Sequence, residues 1–326
     1  VFEQLGLDDV YVGHWSDFEG LTGCTVILAP QGVTASVDIR GGAPGTLETA
    51  LLSPYASVRE LHGVLLTGGS APGLAAAAGV TAFLRERGFG YRTPYARIPL
   101  VAGAVIYDLG LGSATACPRP EDAYTAAVAA FEGPGGPVEG SVGAGTGATV
   151  GKVLGMAGAM KGGVGLARTT TGSGISVVAL AVVNALGDVL AEDGTVLAGA
   201  RRGGEFVGSS RELLSMPSPP VFNAVETTTL AAVMTDAALD KLECGIVARL
   251  CHDGLARAID PVHTPVDGDA VFVLATGKVQ GNVFQVGVAA AQVVAAAIRR
   301  AVRVAESKGG VPGLADFVAS GPDGSM

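Results

Sequence analysis

Strand-like and helix-like segments alternate along this 326-residue chain, which predicts an α/β or layered α+β fold with sheets covered by helices. The composition supports layering: apolar residues are plentiful but small, with Ala and Gly dominant and aromatics at only 5%, so elements can pack closely. The length suits one large domain or two modest ones, and a chain of this size buries roughly 75% of its unfolded surface without disulfide or metal staples.

Residues 24–39 hold two strand-like runs, Cys24-Thr25-Val26-Ile27-Leu28 and Thr34 to Ile39, with Pro30-Gln31-Gly32 expected as the turn between them. Residues 63–90 read as strand, glycine turn and helix. Gly68-Gly69-Ser70 interrupts the apolar run, and Pro72 falls in the first helical turn, where its missing N–H costs nothing. Val101 to Tyr107 is the next apolar strand, and Asp122 to Glu132 a short helix with Pro120 and Asp122 near its start. A glycine-rich loop, Gly140 to Gly151, leads to Lys152. Two strands follow: roughly Val153 to Ala167, broken by glycines, and Ile175 to Val183, which ends at Asn184. From Gly199 to Phe222 the periodicity dissolves, and a long loop inside a compact chain is usually functional or disordered. Thr229 to Thr235 is a strand, and Asp236 is the expected cap of a helix in which Leu239, Leu242, Ile246 and Leu250 recur. The turn Asp267-Gly268-Asp269 precedes a strand, Val271 to Ala275, and a long helix, about Val283 to Glu306. No internal repeat is seen, the Gly199 to Phe222 stretch is the best internal boundary, and residues 1–326 are read as a single domain.

The net charge of −9 argues against a nucleic-acid partner, which wants a basic face. The cysteines (Cys24, Cys117, Cys244 and Cys251) form no CxxC pair. Cys244 and Cys251 lie seven apart on an expected helix, as core residues of one face, and a reducing, cytoplasmic setting follows as the expectation. His252 beside Cys251 lacks the company a metal site needs, since no HxxxH or HExxH spacing occurs. No signal-peptide pattern opens the sequence and no apolar run is read as long enough to cross a bilayer, so a soluble protein with no membrane partner is expected.

Two glycine-rich stretches fail as cofactor or nucleophile motifs. In Gly143-Ala144-Gly145-Thr146-Gly147 the position five before Gly151 is Thr146, Val153 follows Lys152 where a P-loop has Ser or Thr, and Ala148 stands at the third glycine of a dinucleotide fingerprint. No cofactor is expected; the loop reads as backbone that must approach something closely and deliver Lys152. Gly68-Gly69-Ser70-Ala71-Pro72-Gly73 has one residue too many for a nucleophile elbow and reads as a tight strand-to-helix turn.

Thr227-Thr228-Thr229 opens a strand after a proline-rich loop. Threonine is β-prone, and a triplet there needs no chemistry. If the chain were cut within it, however, a hydroxyl and a new α-amine would share one residue, and such an amine has a pKa of about 7.7–8.0 and can serve as base. Donors for an oxyanion and acids to hold the proton network would still be needed. Lys152, Asn184, Tyr107, Asp267 and Asp269 each stand at a strand end or in a glycine turn, where side chains can converge.

These residues occur among ordered matches that run nearly end to end. They include Val12-Gly13-His14-Trp15, Val37-Asp38-Ile39-Arg40 with Gly41-Gly42-Ala43-Pro44-Gly45-Thr46, and Gly68-Gly69-Ser70-Ala71. Val105-Ile106-Tyr107-Asp108, Gly151-Lys152, Met160-Lys161-Gly162-Gly163, Val183-Asn184-Ala185, His252-Asp253-Gly254 and Pro261-Val262-His263-Thr264 continue the series. With them the chain resembles the DmpA-type aminopeptidases, a family that includes β-peptidyl aminopeptidases and the nylon-oligomer (6-aminohexanoate-oligomer) hydrolase. The resemblance implies a four-layer α-β-β-α sandwich like that of N-terminal-nucleophile hydrolases. It implies one self-cleavage, into residues 1–227 and 228–326, and a homo-oligomer of cleaved protomers acting on small peptide, amide or ester substrates. By the same resemblance Thr228 is the nucleophile, Asn184 the oxyanion donor, Lys152 the nearby positive charge, Tyr107 a pocket residue, and Asp267 and Asp269 the acids that orient amine and hydroxyl. Glu226-Thr227 departs from the family's Gly-Asn before the nucleophile, and Pro72 stands where an aromatic is common. An uncleaved, non-catalytic binding or assembly subunit is the rival reading, and an acyl-transferase a third.

Overall fold

The computed structural model describes residues 5–133, 139–217 and 227–319. Its centre is a nine-stranded sheet. The main strands are β1 (Tyr11–Asp17), β2 (Thr22–Ile39), β3 (Leu61–Thr67), β4 (Val101–Val105), β5 (Gly163–Thr170), β6 (Ser176–Asn184), β7 (Thr228–Ala238) and β8 (Ala270–Gln280). The order is β5-β6-β7-β8-β2-β3-β4, closed at one edge by the short strand Thr46–Leu47, while β1 pairs separately with β2. Pairing is parallel for β7–β8 and β3–β4 and antiparallel for the other main pairs.

Strand β2 makes the layers. Its first part, Cys24 to Leu28, pairs with β3 and β1, and its second, Thr34 to Ile39, pairs with β8. The two strand-like runs expected to form a hairpin are therefore one strand, in which Pro30-Gln31-Gly32 marks a register irregularity rather than a reversal. Each sheet half buries both faces. Side chains alternate along a strand, so Val178, Leu180, Val182, Leu230, Ala232, Met234 and Phe272 point inward to meet Ile27, Val64, Leu66 and Ala102 of the other half. The alternate residues, Val177, Ala179, Ala181, Ala231, Val233 and Val271, face helices α3 (Lys241–Ala258) and α4 (Val283–Arg303). On the opposite outer face, Cys24, Val26, Leu28 and Leu65 pack against α1 (Ala77–Glu86) and α2 (Pro120–Glu132). The result is the α-β-β-α sandwich, held by three apolar layers.

Local signals set the helix ends. Pro120 takes the first position of α2 and Asp122 accepts from the Arg119 N–H. Helix α3 is capped by Asp240 in a capping box with Glu243, not by Asp236, because β7 runs on to Ala238 and Asp236 accepts from Ser176 N–H instead. Its inward face carries Cys244, Val247, Cys251 and Leu255, as expected for the cysteines. Leu242 and Ile246, expected in the apolar stripe, are exposed.

Three other expectations change. The glycine-broken strand begins at Gly163, since residues 152–158 form two short 3-10 turns. The stretch from Gly199 contains a small hairpin, Arg201–Arg202 with Glu205–Phe206, and the helix Ser209–Ser215; residues 218–226, including Glu226, lie outside the described residues. By length and composition α4 could cross a bilayer, contrary to the sequence reading, but here Val286, Ala290, Val294 and Ile298 are buried in the core.

Candidate active site

The sheet register places Asn184, the last residue of β6, directly opposite Thr228, the first of β7. Facing residues of an antiparallel pair carry their side chains on one face, about 4.5–5.5 Å apart at Cβ. Thr228 lies on the inter-sheet face with Leu230, and Thr229 on the helix face with Ala231.

The Thr227–Thr228 linkage is held by the acidic turn. Thr227 bridges to Asp267 in parallel fashion, its N–H donating to Val266 O at 3.1 Å. The carbonyl of Thr227 accepts from two donors, the Gly268 N–H at 2.9 Å and the Thr228 hydroxyl at 2.5 Å. That hydroxyl therefore lies against the carbonyl group that self-cleavage would attack, and a backbone donor polarises the same oxygen. Gly268 is required for close approach: a Cβ there would sit 2.6 Å from Ala43 O and 2.8 Å from Thr228 Oγ1. The segment 40–43 braces the turn from behind, through Arg40 N–H to Asp269 O at 2.8 Å and Ala43 N–H to Asp267 O at 2.9 Å.

The two acids divide their work. Asp267 accepts from the Thr227 hydroxyl through Oδ1 and from Thr264 N–H and Oγ1 (3.0 and 2.5 Å) through Oδ2. Asp269 accepts from Thr229 N–H at 2.6 Å and, on its other oxygen, faces His263 Nδ1 at 2.7 Å. In the uncut chain these contacts anchor the residues on either side of Thr228. Burial first of all raises the Asp269 pKa; the His263 hydrogen bond lowers it and neighbouring Asp267 raises it further.

On the other side Lys152 Nζ donates to Asn184 O at 2.9 Å and to Asn184 Oδ1 at 2.8 Å. Thr149 N–H donates to the same Oδ1 at 3.0 Å. With Oδ1 so occupied, the amide orientation is fixed: Nδ2 gives one hydrogen to Tyr107 O at 3.0 Å and keeps a second. Tyr107 thus enters through its backbone carbonyl, and the residue as a whole is 36% exposed. Lys152 is buried, and desolvation pushes it down to about 7, although Asp267 and Asp108 pull it up. Behind it a second buried lysine, Lys161, donates to Thr146 O at 2.8 Å and Ala148 O at 2.7 Å, holding the glycine-rich loop that carries Thr149 and Lys152. Burial pushes Lys161 to about 7 as well.

Thr228, Asn184, Lys152, Asp267 and Asp269 lie together here, whereas Tyr107, expected as a pocket side chain, reaches the group only through its backbone carbonyl. Sequence reasoning gave no role to the Gly268 N–H, Thr149, Thr264, Lys161, His263 or His252. His263, Lys161 and His252 lie inside motifs already quoted, but a lone histidine or lysine carries no spacing signal, and a backbone donor leaves no trace in residue type. Cys251 is buried, which pushes its thiol pKa up, and His252 turns instead to Asp38 and His263.

Comparisons with known proteins give the family and the fold. The model of peptidase family S58 matches residues 6–315. An uncharacterized aminopeptidase of Mycobacterium tuberculosis (strain ATCC 25618 / H37Rv) is 42% identical over 318 residues, covering 90% of this chain and 89% of its own. A 6-aminohexanoate-oligomer endohydrolase of Agromyces sp. (strain KY5R) is 35% identical over 286 residues, covering 85% and 76%. Among solved structures, a Burkholderia sp. beta-aminopeptidase superposes with TM-score 0.67 at 22% identity, covering 98% of this chain and 94% of that one. An L-aminopeptidase D-Ala-esterase/amidase of Ochrobactrum anthropi, described as a variant of the Ntn-hydrolase fold, gives TM-score 0.67 at 20% identity, covering 94% and 87%. The structural likenesses establish the fold.

Proposed function

This chain belongs to peptidase family S58 and is a hydrolase of amide bonds, and from that premise we propose that it matures by cutting itself between Thr227 and Thr228. The observation that carries this reading is the Thr228 hydroxyl bonded to the Thr227 carbonyl, whose oxygen also accepts from Gly268 N–H. Thr228 Oγ attacks the Thr227 carbonyl carbon, the Thr228 nitrogen leaves as an amine, and an ester joins the two residues. Water hydrolyses the ester, freeing a carboxylate at Thr227 and a Thr228 that bears both hydroxyl and α-amine.

In the mature enzyme the α-amine takes the proton from Thr228 Oγ as it attacks a substrate amide, then gives it to the departing amine. Asn184 Nδ2 stabilises the oxyanion with its second hydrogen, while Lys152 holds the Asn184 amide in place and adds positive charge when protonated. Asp267, released from the Thr227 hydroxyl once that residue leaves, is free to orient the new amine. Water then resolves the acyl-enzyme by the same route.

The substrates fitting this reading are small peptides or oligoamides, the classes named for the aminopeptidase and 6-aminohexanoate-oligomer relatives, and the working form is a homo-oligomer of cleaved protomers. A denaturing gel tests the reading. Wild type is expected as two fragments that hydrolyse amides, and Thr228→Ala as one inactive chain; an active, uncut wild type or an active Thr228→Ala overturns it. Light scattering on the cleaved protein tests the oligomer, which a monomer mass would contradict.

A further inference from the structure

A hydrogen-bonded file of side chains runs from the acidic turn away from the nucleophile: Asp269, His263, His252, Asp38. His263 Nδ1 lies 2.7 Å from Asp269 Oδ2, His263 Nε2 lies 3.2 Å from His252 Nδ1, and His252 Nε2 lies 3.2 Å from both Asp38 O and Asp38 Oδ1. His263 adopts a left-handed backbone conformation, φ 54°, and its own N–H also reaches Asp269 Oδ2 at 3.2 Å.

The partners fix the protons. His252 Nε2 faces two acceptors, so it carries hydrogen. The ring is fully buried, and burial together with neighbouring His263 pushes its pKa down to about 4, so at neutral pH its Nδ1 is a lone pair. His263 Nε2 must then donate to it. One hydrogen has to lie between His263 Nδ1 and Asp269 Oδ2, because a bare lone pair facing a carboxylate at 2.7 Å would be repulsive. The His263–Asp269 pair therefore holds a single shared proton, as imidazolium–carboxylate or imidazole–carboxylic acid, and is neutral in either form.

We propose that His263, with its tautomer set by His252, is a positioning residue that neutralises Asp269, so that the α-amine freed at Thr228 faces one net negative charge, on Asp267, rather than two. Two acids beside the amine would hold it as ammonium, which cannot accept the nucleophile's proton. The other charged groups around the file are Arg40, paired with Asp38 at 2.9 Å, and Lys152, which lies near Asp267. The inference rests on Thr228 as nucleophile.

The test is the pH dependence of kcat/KM for His263→Asn, whose amide still donates to Asp269 but supplies no charge. Adding a negative charge raises the amine pKa, so the acid limb is expected to move up by about 1 pH unit. A limb that superimposes on wild type overturns the proposal. Thr228→Ala run alongside separates the failures: if it is active the nucleophile is wrong, whereas if it is dead and the limb stays in place only the role of His263 is wrong. Should His263→Asn not fold or mature, the histidine ¹⁵N shifts of wild type decide. Hydrogen on Nε2 of both His252 and His263 is expected, and His252 protonated on Nδ1 refutes the file.

Discussion

Three residues around the Thr227–Thr228 linkage can be tested singly. Asn184→Ala removes the proposed oxyanion donor and the amide that Lys152 holds; kcat should fall about 10²–10³-fold while the fold remains, measured by steady-state hydrolysis beside circular dichroism. Gly268→Ala adds a methyl where the Thr228 hydroxyl and Ala43 O leave no room, so self-cleavage should slow or stop on a gel time course. Thr229 Oγ1 is buried with no hydrogen-bond partner among the described residues. Replacing it by the isosteric methyl in Thr229→Val should stabilise the protein by about 1 kcal/mol, read from denaturant unfolding. The same residues mark what sequence conveys at this scale. Thr228, Asn184 and Lys152 stand out because their side chains end strands or close a glycine loop within a recognisable series of motifs. The Gly268 N–H and the His263–His252 file are invisible for a physical reason: they depend on where the 260–269 loop folds back against α3 and β2.

At the scale of elements, apolar runs and caps locate most strands and helices, except where a local signal competes with strand pairing. Pro30-Gln31-Gly32 is a strong turn signal, yet pairing on both sides, with β3 and then β8, carries β2 straight through it. Asp236 resembles an N-cap, but the continued pairing of β7 with β8 as far as Ala238 excludes it and moves the helix start to Asp240. Asp240→Ala should therefore lower stability by about 1 kcal/mol in a denaturant titration, the usual cost of losing such a cap. On α3 leucine and isoleucine outweigh cysteine and alanine on any hydropathy scale and so point to Leu242 and Ile246, whereas close packing against α4 favours the smaller side chains.

At the scale of the whole molecule, the layered architecture was legible from alternating elements and small apolar residues, but the folding of one sheet into two halves through β2 was not. That burial sets the pH response. Lys152 and Lys161 are pushed to about 7, so above pH 7 the folded chain has released protons that the unfolded chain still binds, and stability rises with pH. The buried thiols of Cys24, Cys244 and Cys251, all shifted upward, oppose this only at higher pH, where unfolded thiols ionise. On the uncut Thr228→Ala chain the denaturation midpoint should climb from pH 7 to 8.5, and it should climb less steeply with Lys161→Met added; a flat or falling midpoint contradicts the assignment. Buried His62 and His252, both lowered to about 4, act in the acid range: unfolded histidines take up protons near 6.5, so their contribution falls between pH 6.5 and 4. The raised carboxyls of Asp108, Asp188 and Asp269 work in the opposite sense there.

The sandwich brings β6, β7 and the acidic turn to one end of the inter-sheet layer, and everything proposed for that end depends on which bond opens. N-terminal sequencing of the smaller fragment from active protein is the most direct measurement. The account predicts a chain that begins Thr228-Thr229-Leu230; full activity from an unbroken chain, or a fragment that begins at Thr227 or Thr229, would contradict it.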